Sequence, residues 1–177
     1  MEERIIVAGF GGQGVQSLGE LICHAGMMEG RHVTWLPSYG PEMRGGTTNC
    51  SVIISDSPVG SPMVDRATCA MVLNLPSLNK FESMVEPGKL LFINKSLINR
   101  ETTRNDVKPI YVECTEEAIK LGNARVGNMV MLGAYIHLTG ILKVDSVMAS
   151  LPEVLGPGKE HLISINRAAL ERGAELV

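Results

Sequence analysis

Paired cysteines, aromatic residues, surplus charge and long apolar runs are all scarce in this chain, and each scarcity excludes a class of function. Its four cysteines, Cys23, Cys50, Cys69 and Cys114, stand singly with no CxxC among them. Zinc sites and iron–sulfur clusters need several thiolates converging on one point, usually from close-spaced pairs. His24, His32, His137 and His161 show no ligand-like pairing with the cysteines either, so the thiols are expected to be small core residues. Aromatic residues make up only 4% of the chain, which leaves few platforms for stacking bases. A net charge of −3 gives nothing that draws the whole molecule onto nucleic acid or an anionic membrane. The longest uncharged apolar stretch, Val126 to Leu142, falls short of the ~20 residues that cross a bilayer. Met1 to Arg4 lack the basic start of a secretory signal. The expected compartment is the cytoplasm.

What is present is glycine and apolar residues: 19 glycines and 45% apolar content in 177 residues, enough for one domain with a true core. Ile5 to Ala8 is an unbroken apolar run ending in glycine, the pattern of a strand buried on both faces. Val15, Leu18, Ile22 and Ala25 then share one helical stripe. Further strands are expected at His32–Leu36, Thr47–Ser55, Cys69–Leu75, Lys89–Ile93 and Pro109–Glu113. Pro76 opens a short helix, Glu86-Pro87-Gly88 reads as a turn, and Asn99 to Asp106 as a solvated excursion. A helix begins at Thr115, with Glu116 and Glu117 placed near its positive end. Asn128 to Leu142 is apolar nearly all round, which requires burial by the rest of the domain or by a partner. Two more helices, Asp145–Leu155 and Glu160–Glu175, close the chain. Alternating strands and helices predict an α/β fold: a three-layer α/β/α sandwich with a mainly parallel, Rossmann-like sheet.

Two bends concentrate the chemistry. Gly9-Phe10-Gly11-Gly12-Gln13-Gly14 joins a strand to a helix and satisfies G-x-G-x-x-G, a backbone able to turn sharply and to present helix N–H groups to a phosphate. A dinucleotide site also needs an acid at the end of the second strand; Trp35-Leu36-Pro37-Ser38 supplies none, which argues against NAD. Close packing of strand, helix and a neighbouring chain explains the glycines equally well. The other bend, Pro37 to Thr47, follows the second strand and should lie at the same sheet edge. Arg44 beside Gly45 and Gly46 can present its planar fork to a carboxylate or phosphate, or pair at the surface with Glu42. Neither bend is expected to close a hairpin.

Gly9 to Gly14, Ser38 to Thr47, Asn74 to Leu78, Arg125 to Ala134 and Asn166 to Gly173 together resemble the gamma subunit of 2-oxoacid:ferredoxin oxidoreductases over essentially the whole chain. Thr34-Trp35-Leu36, the second bend and Ser61-Pro62 look most like the 2-oxoglutarate branch; the pyruvate, 2-oxoisovalerate and indolepyruvate branches share much of the pattern. The resemblance implies oxidative decarboxylation of a 2-oxoacid to an acyl-CoA, with ferredoxin as acceptor. It also implies alpha and beta partner subunits, with a delta or ferredoxin-like subunit in some members. Thiamine diphosphate, Mg and iron–sulfur clusters would be held by those partners, because this chain has no Gly-Asp-Gly with a downstream Asn and no cysteine runs. No catalytic residue and no metal ligand is expected here. Toward CoA, the resemblance directs attention to Gly9, Gly11, Gly12, Gln13, Gly14, Ser38, Tyr39, Arg44, Gly45, Gly46 and Thr47. Two further readings compete: a stand-alone NAD-dependent dehydrogenase, and a nucleotide- or CoA-binding module without catalysis.

Overall fold

The computed structural model describes residues 1–38 and 46–177. Six strands form one sheet: β1 (Glu2–Phe10), β2 (His32–Ser38), β3 (Thr47–Ser55), β4 (Ala67–Val72), β5 (Val85–Asn94) and β6 (Lys108–Val112), in the order β2-β3-β1-β4-β5-β6. The helices are α1 (Val15–Met28), α2 (Leu75–Phe81), α3 (Cys114–Lys120), α4 (Gly127–Thr139), α5 (Val144–Leu155) and α6 (Ile163–Glu175). Strands β1, β4, β5 and β6 are parallel neighbours. β3 runs against both β1 and β2, so β2 points the same way as β1. The expected α/β sandwich with a mostly parallel sheet is present, with β3 as its one reversed strand among the described residues.

Alternation along the strands sends side chains to two cores. Ile5 and Val7 join one, with Val15, Leu18, Leu21, Ile22 and Ala25 of α1 and the apolar residues of α4. Ile6 and Ala8 join the other, with Leu78 and Phe81 of α2. Each large apolar side chain so buried contributes about 1.5–3 kcal/mol relative to exposure. The helix after β1 therefore covers one face of the sheet, and the helix after β4 covers the other. The point where the covering changes sides lies between the carboxyl ends of β1 and β4, where ligands of open α/β sheets settle.

The apolar α4 is buried within the chain's own fold, between the sheet and α6. A side chain on Gly133 would meet Leu170 O at 1.9 Å, and one on Gly173 would meet Val130 O at 1.9 Å. The two glycines let the helix backbones touch, and Gly140 ends α4 in the left-handed conformation.

Three local expectations change. β2 and β3 are consecutive antiparallel neighbours, with Ser38 opposite Asn49, so the second bend does join a hairpin. Pro37 and Ser38 extend β2, whose edge position tolerates a missing N–H. Glu86 to Gly88 lie inside β5, in a bulge between the Ala67–Val85 and Cys69–Leu90 pairs. The Asn99–Asp106 segment is the surface excursion expected, with no residue of it buried; the buried Glu82 anchors it, accepting bonds from Arg100 Nη2 (2.8 Å), Thr102 Oγ1 (2.7 Å) and Thr103 N (3.2 Å). Arg104 Nη1 adds bonds to Glu82 O and Val85 O.

Candidate functional site

β1 ends in the glycine loop, and the loop is built by Gln13. Its Oε1 accepts the Phe10 N–H at 2.6 Å, and its Nε2 donates to Leu73 O at 3.2 Å. The side chain thus ties the end of β1 to the end of β4. Gly14 caps α1 with φ 73°. Asn128, at the start of α4, lies over it and donates from Nδ2 to Gly14 O at 3.2 Å. Any side chain at Gly14 would be strained by its backbone and would meet that amide at 2.4 Å.

The two bends meet. Gly11 N donates to Gly46 O at 3.0 Å, and Thr47 stands opposite Phe10 in the β1–β3 pairing. Ser38 is exposed at the end of β2, at the same carboxyl edge. Gly11, Gly12 and Thr47 are also exposed, Gln13 and Gly14 are half-buried, and Gly9 is buried. Tyr39, Arg44 and Gly45, with Glu42, lie outside the described residues.

A crevice opens on each side of the glycine loop. One is lined by Gly11, Gly12, Gly14, Gln16 and Thr48 at the start of α1; there Gln16 Nε2 donates to Thr48 Oγ1 at 2.8 Å and to Asn49 O at 2.9 Å. The other lies above the ends of β4 and β5, between the loop and the turn leading into α4. Asn94, fully buried at the end of β5, donates from Nδ2 to Leu73 O (3.1 Å) and Thr115 Oγ1 (3.0 Å). Its Oδ1 has no partner among the described residues. A buried acceptor left so costs about 1–3 kcal/mol, a cost a ligand can relieve.

Three of the four thiols, those of Cys50, Cys69 and Cys114, are buried. Burial pushes the Cys50 and Cys114 thiols up to about 12, and raises Cys69 well above its ordinary value. Cys114 lines the second crevice, but as a neutral thiol it is no nucleophile. Among the described residues no group of three or more His, Cys, Asp or Glu side chains converges, and no helix is long and apolar enough to cross a membrane.

A nicotinamide dinucleotide fits this arrangement poorly. The strand beside β1 on the α1 side is β3, which runs the wrong way. The end of β2, where a ribose-binding acid would stand, is one strand further out.

Sequence reasoning missed Asn94 and the Leu73 carbonyl as the centre of a polar line joining Gln13 to Thr115. The available signal was an asparagine ending the apolar run Leu90 to Ile93.

Residues 4–176 match the family described as pyruvate ferredoxin/flavodoxin oxidoreductase. The chain is 42% identical to ketoisovalerate oxidoreductase subunit VorA of Methanothermobacter thermautotrophicus, over 98% of its own length and 36% of that protein. It thus spans about a third of this relative. It is 29% identical to 2-oxoglutarate synthase subunit KorC of Methanocaldococcus jannaschii, over 99% of the chain and 94% of KorC. Among solved structures, the keto/oxoacid ferredoxin oxidoreductase gamma subunit of Geobacter sulfurreducens superposes with a TM-score of 0.86. It is 26% identical and covers 99% of this chain and 96% of its own.

Proposed function

Because the chain belongs to the pyruvate ferredoxin/flavodoxin oxidoreductase family, we propose that it is a gamma-type subunit whose paired loops complete a CoA site shared with partner subunits. The partners are alpha and beta subunits that carry thiamine diphosphate, Mg and iron–sulfur clusters. The overall reaction converts a 2-oxoacid, CoA and two oxidised ferredoxins to an acyl-CoA, carbon dioxide and two reduced ferredoxins, with release of a proton. Thiamine would supply the carbanion chemistry at the keto carbon. This chain's own contribution is to bind, orient and exclude water. The observation that carries the proposal is the Gly11 N–H to Gly46 O bond, which brings both family motifs to one rim of the sheet. There the exposed Gly12 and the start of α1 favour a phosphate. Gly9, Gln13 and Gly14 hold that backbone in shape, Ser38, Gly46 and Thr47 flank it, and Tyr39, Arg44 and Gly45 complete the second loop.

For the substrate we propose 2-oxoisovalerate, on the 42% identity to VorA. The 2-oxoglutarate branch is the second reading, favoured by the wording of Thr34–Leu36 and Ser38–Thr47 and by the KorC relative. No side chain at the described rim distinguishes an apolar from an acidic substrate tail.

Purification of the native complex through this chain, followed by CoA-dependent reduction of ferredoxin or viologen, tests the proposal. Turnover with 2-oxoisovalerate, and less with 2-oxoglutarate, pyruvate or indolepyruvate, is the expected result. Preference for 2-oxoglutarate would move the substrate to the second reading. A chain that purifies without partners, or turns over a 2-oxoacid alone, would overturn the function.

A further inference from the structure

The two faces of the sheet are unequally covered. Five helices, α1 and α3 to α6, pack into the core on one face. On the other, α2 is the only α-helix among the described residues, helped by Val59 and Val64 of a loop. We propose that the uncovered part of the α2 face, on β2, β3 and the end of β1, is the docking surface for the alpha-type partner subunit. The inference deepens the reading of this chain as a subunit and rests on it.

The cross-strand register shows where the cover ends. Along one row of the α2 face, Ala70 of β4 and Ile6 of β1 are buried, Ser51 of β3 is half-buried, and Leu36 of β2 keeps 37% of its surface open. Along the next row, Val72 and Ala8 are buried, Asn49 is half-buried and Ser38 is exposed. Phe10, on the same face of β1, keeps 39% open and stands opposite the exposed Thr47. None of the side chains left open in these rows is charged. The helices of the opposite layer instead present Asp145, Glu153, Arg167 and Glu171 to water. Absence of charge together with an exposed aromatic marks the core of an interface, not a solvated face. β2 is moreover an edge strand, and Val33 to Leu36 include none of the Lys or Pro residues that keep an edge from pairing. Two observations name the occupant. In VorA the matching region is 36% of the polypeptide, so one chain joins such a domain to a larger remainder. Phe10, Ser38 and Thr47 also border the rim where Gly11 N meets Gly46 O, so a subunit seated on this face would reach the CoA site it is proposed to share. A second copy, related by two-fold symmetry, would bring only a duplicate of the same rim.

The test measures binding of the full chain to the alpha-type subunit recovered from the native complex. Leu36→Glu is expected to weaken that binding about tenfold or more. Leu138→Glu, which changes a comparably exposed leucine on α4, is expected to leave it unchanged. Hydrogen exchange of the wild-type chain, alone and in the complex, needs no variant and decides the matter should L36E fail to fold. Amides of β2 should exchange about tenfold or more slowly on assembly, and those of α5 and α6 at the same rate as before. Full binding by L36E, equal weakening by L138E, or protection that falls on α5 and α6 and spares β2 would overturn the surface while leaving the subunit function intact. Loss of self-association from L36E, with the alpha-type subunit still bound, would also overturn it, assigning the face to a second copy. A wild-type chain that binds no alpha-type subunit would instead overturn the underlying reading.

Discussion

The Gln13 amide oxygen stands 2.6 Å from the place a side chain on Gly9 would occupy, so one residue's missing side chain is the seat of the other. Gly9→Ala is expected to expel Gln13 and forfeit its bonds to Phe10 N and Leu73 O, at a cost of about 1–3 kcal/mol. Gln13→Ala should cost a similar amount. Because the two act on one interaction, the double variant should lose clearly less than the sum, as read from a urea-denaturation cycle. Additive losses would show that the two residues act separately.

The contact between α4 and α6 gives a sharper stability prediction. Gly133→Ala or Gly173→Ala sets a methyl against backbone, which cannot move aside as a side-chain tip can. Each is expected to lower stability by about 1–3 kcal/mol or more, with a matching fall in Tm. Gly60, which has nothing near its missing side chain, is the control: Gly60→Ala should stay within about 0.5 kcal/mol of wild type.

Acid sensitivity follows from two carboxylates. Burial pushes Glu82 up, but hydrogen bonds from Arg100, Thr102 and Thr103 outweigh it and leave the group below its ordinary value. Lys120 and then Arg172 hold Glu117 down in the same way. A carboxyl depressed in the folded state stabilises fully above its unfolded pKa, near about 4.3. That stabilisation disappears as pH falls through the folded values. Denaturation midpoints should therefore be level near neutrality and decline below about pH 4. Glu82→Gln and Glu117→Gln should each start lower, by about 1–3 kcal/mol at pH 7, and decline less steeply on acidification.

Thiol chemistry offers a direct check on burial. With the Cys50 and Cys114 thiols up at about 12, only about one molecule in ten thousand carries either thiolate at pH 8. Half-buried Cys23 is raised by burial and by the neighbouring Glu20, but it is the one cysteine with open surface. Labelling with a maleimide in native buffer should modify Cys23 first, and Cys50, Cys69 and Cys114 only on unfolding. Early loss of Cys114 would mean that the crevice it lines breathes open.

Much of the fold was legible because local pattern and burial agree. Ile5 to Ala8 reads as a strand buried on both faces, and its residues do divide between the two cores. The apolar α4 had two possible covers, and Gly133 against Leu170 shows that the chain supplies its own. The reversal of β3 was not legible, since strand direction depends on which neighbour pairs with it. The Asn99–Asp106 segment is solvated as its composition implies, but its anchoring to Glu82, some twenty residues earlier, was not legible. At the site, Gly14 and Asn128 were legible as motif residues, though not as a contact 114 residues apart in sequence. Asn94 passed unnoticed because an asparagine ending a strand looks the same whether it closes a turn or lines a crevice.

Subtractive reconstitution tests the division of labour most directly. CoA- and 2-oxoacid-dependent viologen reduction would be measured with partner subunits alone, this chain alone, and both together. Turnover only in the combined sample, saturable in CoA, is the expected result. Full activity of the partners without this chain, or any turnover by this chain unaided, would contradict it.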